Sequence, residues 1–210
     1  MHLKSFGNEP YRGNSESMHR LEPNMRGIRK IYFDGASDVP NSALPVLLYR
    51  SVLPLHAASK SRAFRERFKG AGWTGIWADT IYDYTHFHSN AHEVLGIAEG
   101  KVTLRLGGET GSLFRLKAGD MLVIPAGVGH RRLGGENGLK VIGAYPRGQS
   151  HYDMKRRGRA IPRVDLPSAD PFYGADGPLM RAWQVRRATG RRSKRLQRPI
   201  QPSALSAFGT

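Results

Sequence analysis

The stretch His86–Glu93, with the sequence HFHSNAHE, carries the most chemical information in the chain. Side chains of an extended strand alternate between its two faces, so His86 and His88 point the same way while Phe87 points to the other face. Glu93 opens the next apolar run after a short loop. Burial of imidazole and carboxylate groups is costly unless they are paired or bind a metal. The stretch therefore predicts that His86, His88 and Glu93 can face one metal ion inside a folded sheet.

A fourth candidate ligand, His130, opens a strand farther along the chain. Before it, the chain turns at Pro125-Ala126-Gly127, and Asp120 is interpreted as a residue of an earlier turn rather than as a ligand. The chain has no cysteine, so any metal must be held by nitrogen and oxygen ligands. Three imidazoles and one carboxylate suit Fe(II), Mn(II), Ni(II) or Zn(II), and they leave positions on a six-coordinate ion for water or substrate.

Short strands dominate the middle of the chain and predict an all-β fold. Runs rich in β-branched and aromatic residues, separated by turns that contain Gly and Pro, favour a sandwich or a barrel. The clearest helix, Ala57–Lys69, precedes them, with Phe64 and Phe68 on one face and Gly70 as its stop. Order is expected to begin near Ile31. The predicted strands are Trp73–Asp79, Ile81–His88, Glu93–Glu99, Lys101–Leu106, Ser112–Leu116, Met121–Ile124, His130–Leu133 and Leu139–Tyr145.

Two motifs of this chain resemble those of the cupin superfamily. The first cupin motif has a leading Gly, then His-x-His, Glu and a final Gly at set spacing. This chain matches it with His86, His88, Glu93 and Gly100 but has Thr80 at the leading position. The second motif has a Gly, Pro-x-Gly, His and Asn. The matching residues are Gly119, Pro125, Gly127 and His130, with Gly134 where the Asn is expected.

The resemblance implies a small cupin-type jelly-roll β-barrel with one N-terminal helix and irregular terminal extensions. It also implies a single divalent ion (Fe, Mn, Ni or Zn) held by His86, His88, Glu93 and His130. Neither departure from the motifs falls on one of these ligands. The string HSNAHEVLG, residues 88–96, is similar to one shared by a group of bacterial single-domain cupins of unknown function.

Composition and charge divide the chain into three parts. The chain has 33 Lys and Arg against 17 Asp and Glu, a net charge of +16, and the excess lies towards both ends. We expect a disordered extension over residues 1–30, one cupin barrel domain over 31–180 with its motif core at 73–146, and a basic tail over 181–210. The run Arg186–Arg198 has seven basic residues and no aromatic residue. It is therefore interpreted as a solvated segment, and nucleic-acid contact is the less favoured alternative.

The predicted site favours a metal-dependent enzyme that acts on a small polar substrate. Dioxygenase-like chemistry, isomerisation and decarboxylation all stay open, because one fold hosts many reactions. Tyr82 and Tyr84 share the face of the ligands and are candidate catalytic residues or pocket walls. His92 is expected to point away from the site, and Arg131 and Arg132 are interpreted as solvated rim charges rather than as substrate ligands. The alternative function is a non-enzymatic small-molecule binding or sensor cupin.

The remaining expectations concern location and partners. The N-terminus lacks an apolar stretch typical of a signal peptide, and no segment has the roughly 18–20 apolar residues of a membrane span. A cytoplasmic location without membrane contact is expected. A homodimer is expected through a strand edge, since an open barrel leaves edges to cover. No nucleophile-elbow, phosphate-loop or HExxH motif is present in the sequence.

Overall fold

The computed structural model describes the backbone of residues 27–188 and the side chains of residues 27–183. Residues 1–26 and 189–210, with most of the predicted extension and basic tail, lie outside this range. Nine strands and two helices form the described part. They are β1 (Ile28–Phe33), β2 (Ser42–Tyr49), α1 (Lys60–Gly70), β3 (Thr74–Asp79), β4 (Glu93–Glu99), β5 (Lys101–Leu106), β6 (Ser112–Lys117), β7 (Met121–Ile124), β8 (His130–Gly135), β9 (Lys140–Tyr145) and α2 (Pro178–Ala188).

The strands form two antiparallel sheets that pack against each other. One sheet has six strands in the order β1-β2-β7-β4-β9-β3, and the other has three in the order β6-β5-β8. Apolar side chains of both sheets, such as Leu95, Leu104 and Leu122, form one buried cluster. The predicted all-β jelly-roll barrel is confirmed.

A second apolar cluster covers the outer face of the six-stranded sheet. It joins side chains of that sheet, such as Val94, to Phe64 and Phe68 of α1 and to Leu179 and Trp183 of α2. Because both faces of this sheet are covered, its central strands β4 and β7 are buried at almost every position. These strands therefore appear in the sequence as continuous apolar runs rather than as alternating patterns.

Helix α1 matches the predicted helix in its packing face and differs from it at its ends. The side chain of Ser59 caps its N-terminus by accepting a hydrogen bond from the backbone N–H of Arg62. Gly96 on β4 lets the Phe64 ring approach, because a Cβ there would lie 2.7 Å from that ring. The left-handed residue after the helix is Gly72, with φ of 77°. Helix α1 ends at Gly70, within one residue of its predicted end at Lys69.

The prediction of a continuous strand over Ile81–His88 was also wrong. In this segment, isolated bridges pair His86 with His130 and Phe87 with Lys155, and residues 83–84 form a bend. The two bridges lead to different partners, so the segment does not join one ladder. The pairing of His86 with His130 nevertheless places these two histidines on the inner side of the barrel.

Strand β2 and helix α2 were not predicted. Pro45 interrupts the apolar pattern of β2 and lacks an N–H, and it lies near a register irregularity where β1 and β2 pair. The predicted boundary between residues 180 and 181 falls inside α2, whose residues Leu179 and Trp183 are buried. None of the helices in the described range is long and apolar enough to cross a membrane.

Candidate metal centre

Three histidines meet inside the barrel. His86, His88 and His130 are all buried, and one ring nitrogen from each lies within 4.8 Å of the others. His86 and His130 come together through reciprocal backbone hydrogen bonds of 3.1 and 2.9 Å. The backbone N–H of Gly127 donates to the carbonyl of His88 at 2.8 Å, which ties the Pro125–Gly127 turn to the first motif.

Backbone carbonyls fix the orientation of all three imidazole rings. The Nδ1 atoms of His86 and His130 lie 3.1 Å from the carbonyls of Tyr84 and Val128. The Nδ1 atom of His88 contacts the carbonyl of Asp153. A carbonyl accepts only, so each Nδ1 carries a proton, and Nε2 is the atom through which each imidazole can bind a metal ion when it is neutral. This is how histidines that bind metal ions are usually held, and the residues therefore fit a divalent ion.

Glu93 completes the cluster from the start of β4. Its Oε2 atom lies 3.5 Å from Nε2 of His88 and 3.3 Å from Nε2 of His130. Its Oε1 atom accepts a hydrogen bond of 2.9 Å from the hydroxyl of Tyr145, which in turn accepts one of 3.2 Å from Nε1 of Trp77. One carboxylate oxygen is thus held by the tyrosine, and the other faces the histidines.

The charges of the cluster are shifted by burial and by each other. Burial lowers the pKa of His86 to about 3, and the nearby His130 adds to this effect, so His86 stays neutral at physiological pH. Burial opposes ionisation of Glu93, but His88 and His130 outweigh it and hold the pKa of Glu93 well below its usual range. Burial also disfavours protonated His88, yet Glu93 reverses that effect and raises the pKa of His88. The carboxylate is therefore ionised and available to a cation.

The cluster lies in the wall of a cavity of about 260 Å³. Besides the four clustered side chains, the lining includes Trp77, Asp79, Thr80, Ile81, Tyr82, Leu95, Tyr145, Tyr152 and Met154. No Lys or Arg belongs to the lining that the structure describes. A small molecule that enters this cavity reaches the histidines and the carboxylate directly.

Comparison with known proteins gives the same result as the motifs. The cupin domain pattern matches residues 76–133. The protein YjlB of Bacillus subtilis (strain 168) is 34% identical over an alignment of 168 positions that covers 75% of this chain and 98% of YjlB. The chain belongs to the cupin superfamily. Resemblance to a group of bacterial cupins of unknown function, predicted from the motifs, is thereby confirmed.

Two solved structures illustrate the range of similar cupin folds. A DUF861-family protein of Thermotoga maritima is 22% identical, with 37% of this chain and 86% of that chain covered and a TM-score of 0.26. Oxalate decarboxylase of Bacillus subtilis is 18% identical, with 58% of this chain and 30% of that chain covered and a TM-score of 0.30. No substrate and no reaction follow from these likenesses.

The other candidate residues close to the cupin motifs are not part of the cluster of four side chains. Tyr82 lines the cavity, whereas Tyr84 is not part of the lining and stacks on Tyr82. His92 points away from the cavity, accepts a hydrogen bond from the N–H of Ala126 and packs on Trp183. Arg131 and Arg132 do not line the cavity either: Arg131 pairs with Glu109, and Arg132 donates to the carbonyl of Ile81.

Two functional neighbours escaped the sequence analysis. Tyr145 lies in the predicted strand Leu139–Tyr145, one position beyond the paired residues Val94 and Ala144, which places it beside Glu93. Asp153 belongs to the segment after the barrel, and its carboxylate accepts hydrogen bonds from the backbone N–H and the hydroxyl of Ser89. This contact holds the Asp153 carbonyl against His88. The local motif pattern contains no information about either long-range contact.

Proposed function

We propose that this cupin is a metal-dependent enzyme that acts on a small polar substrate. In this proposal one divalent ion (Fe, Mn, Ni or Zn) is held by His86, His88, Glu93 and His130. The observation that carries it is the convergence of three imidazole ring nitrogens and one ionised carboxylate on the same wall of a cavity. If these four side chains only stabilised the barrel, they would not need to face an accessible cavity.

The four protein ligands restrict the chemical type of the ion but do not select one element. Imidazole nitrogen and carboxylate oxygen suit the mid-to-late first-row divalent ions, whereas the lack of thiolate ligands disfavours soft ions. When bound, such an ion polarises an oxygen of the substrate or, if it is redox-active, exchanges electrons with it. The choice among dioxygenase-like chemistry, isomerisation and decarboxylation depends on the ion taken up and on the side chains that line the cavity.

The protein side chains around the site have roles of their own. Tyr145 orients Glu93, and its pKa is raised by burial and by the adjacent carboxylate, so it acts as a hydrogen-bond donor and stays protonated. Trp77 fixes the Tyr145 hydroxyl in turn. Of the two candidate catalytic tyrosines, Tyr82 and Tyr84, Tyr82 lines the cavity and Tyr84 does not. In this proposal the Tyr82 hydroxyl orients or protonates a substrate.

The proposal is tested by activity of the protein loaded with one ion at a time. A panel of small polar compounds is incubated with the Fe(II), Mn(II), Ni(II) and Zn(II) forms, with oxygen uptake and product formation recorded. Turnover that requires Fe(II) and consumes oxygen supports the dioxygenase-like reaction. Turnover that persists anaerobically with Mn(II) or Zn(II) supports isomerisation or decarboxylation. Binding of a compound at the ion without turnover by any loaded form would favour the sensor alternative.

The predicted homodimer and the predicted cytoplasmic location complete the proposal. Strands β1 and β3 are the edges of the six-stranded sheet, and each leaves one row of backbone groups without a partner in that sheet. Pairing of one such edge with a second copy would cover it. Sedimentation equilibrium of the purified chain measures the dimer, and a monomer at micromolar concentration contradicts it.

A further inference from the structure

Three large apolar side chains that line the cavity are exposed to solvent, as are the polar lining residues Asp79 and Thr80. Tyr82 is 52% exposed, Tyr152 39% and Met154 40%, and all three line the cavity. We refer to these three residues as the aromatic mouth. They are three of only seven large apolar side chains that are exposed in the described range. Such a concentration at one opening indicates a surface that contacts a ligand.

Both tyrosines of the aromatic mouth are held in place from behind. The Tyr82 ring stacks on Tyr84 with centroids 4.9 Å apart, and the guanidinium of Arg156 lies 3.8 Å from the centroid of the Tyr84 ring. The Tyr152 ring stacks on the buried Tyr145 with centroids 4.2 Å apart and an angle of 22° between the planes. Because these rings are already ordered, a ligand that contacts them loses little binding free energy to side-chain ordering.

The size and the charge of the cavity restrict the chemical class of the ligand further. A cavity of about 150 Å³ is enough for benzene, so about 260 Å³ admits one ring with polar substituents. The described lining has no Lys or Arg, while it includes the carboxylates of Asp79 and Glu93. A carboxylate arm on the ligand would find no Lys or Arg among these lining residues. Flat aromatic walls without a cation favour a planar ring over a polycarboxylate.

We propose that the cavity binds a small planar ring compound with one polar group that reaches the metal centre and no carboxylate arm. The inference rests on the proposed metal site and specifies its substrate class. The ring contacts the faces or edges of Tyr82 and Tyr152, and the polar group points to the cluster of His86, His88 and His130. Met154 adapts to the outline of the ring because its side chain is flexible.

Three hydroxamates share one chelating group and test this assignment on the Zn(II)-loaded protein. They are benzohydroxamate, with a planar ring, cyclohexanecarbohydroxamate, with a puckered ring of similar size, and the monohydroxamate of succinic acid, with a carboxylate arm. Dissociation constants are measured by calorimetry. Two aromatic contacts predict that benzohydroxamate binds at least about fivefold more tightly than the cyclohexane analogue. The succinate derivative is expected to be the weakest of the three.

Matched variants separate this inference from the metal site. Tyr82→Ala and Tyr152→Ala are expected to reduce the preference for the planar ring at least twofold while Zn(II) content stays unchanged. Tyr32→Ala, a tyrosine of similar exposure (49%) outside the lining, is expected to keep it. Equal binding of both rings, tighter binding of the succinate derivative, or a preference unchanged in both variants overturns the inference alone. If the protein takes up none of Fe(II), Mn(II), Ni(II) and Zn(II), the proposed metal site is overturned and the inference with it. If it takes up another of these ions but not Zn(II), the three hydroxamates are compared on that form.

Discussion

The hydroxyl of Tyr145 offers a specific test of how the candidate metal centre is held. It is the one side-chain donor to Glu93 Oε1 among the described residues, at 2.9 Å, and Tyr145→Phe removes it without changing the shape of the ring. The other carboxylate oxygen already faces His88 and His130. Loss of a hydrogen bond that orients a metal ligand typically weakens metal binding about 10- to 100-fold, or about 1.4–2.7 kcal/mol.

Tyr49→Phe provides a matched control for that variant. Tyr49 is also buried, and its hydroxyl donates to a carboxylate, Asp170, at 2.6 Å, but it does not line the cavity. Each variant is expected to lose about 1.5–3 kcal/mol of unfolding free energy, because each removes one hydrogen bond to a charged group. Tyr145→Phe also removes the hydrogen bond from Trp77 and is expected to lie at the upper end of this range. The assay is competition for Zn(II) or Mn(II) with a chelating dye, with urea unfolding of the metal-free proteins alongside. Equal metal affinity in wild type and Tyr145→Phe, or equal weakening in Tyr49→Phe, would refute the reasoning.

Three further predictions concern the scaffold. Gly96→Ala places a methyl group against the Phe64 ring, so urea unfolding should show a loss of about 1–3 kcal/mol, and an unchanged midpoint speaks against the described packing. Asp170→Ala removes the acceptor for Tyr49 and for three backbone N–H groups and is expected to cost about 3 kcal/mol or more; a loss below about 1 kcal/mol is incompatible with these bonds. Burial and the adjacent Asp170 raise the pKa of Tyr49, so folding stability falls above about pH 10 as the unfolded chain loses protons first. In Tyr49→Phe the unfolding free energy should fall less steeply above about pH 10, by about 1.4 kcal/mol per pH unit. An identical fall in wild type and variant contradicts the raised pKa of Tyr49.

The parts of the site that depend on short-range spacing could be predicted from the sequence. The pair His86 and His88, the following Glu93 and the turn before His130 lie within two short stretches, and the structure brings all four side chains together. Strand alternation alone predicted that His92 points away from the other four side chains, although residues 86–88 do not form a regular strand.

What could not be predicted depends on contacts between distant parts of the chain. Tyr145 meets Glu93 through sheet register, and the Asp153 carbonyl reaches His88 through a segment without regular structure. Neither contact has a local pattern, since register between strands depends on the whole sheet. Strand β2 was missed because Pro45 disturbs its pattern. Helix α2 was missed because its charged composition resembles the tail that follows it.

Metal content of the purified protein tests the central claim most directly. Wild type, His88→Ala, His130→Ala and the control His151→Ala, an exposed histidine outside the cavity lining, are reconstituted with Fe(II), Mn(II), Ni(II) or Zn(II), freed of excess ion and analysed for metal and protein. We predict about one ion per chain in wild type and His151→Ala, and a strong loss in the two other variants. Wild-type protein that retains none of the four ions, or variants that retain as much as wild type, would contradict a metal centre at these residues.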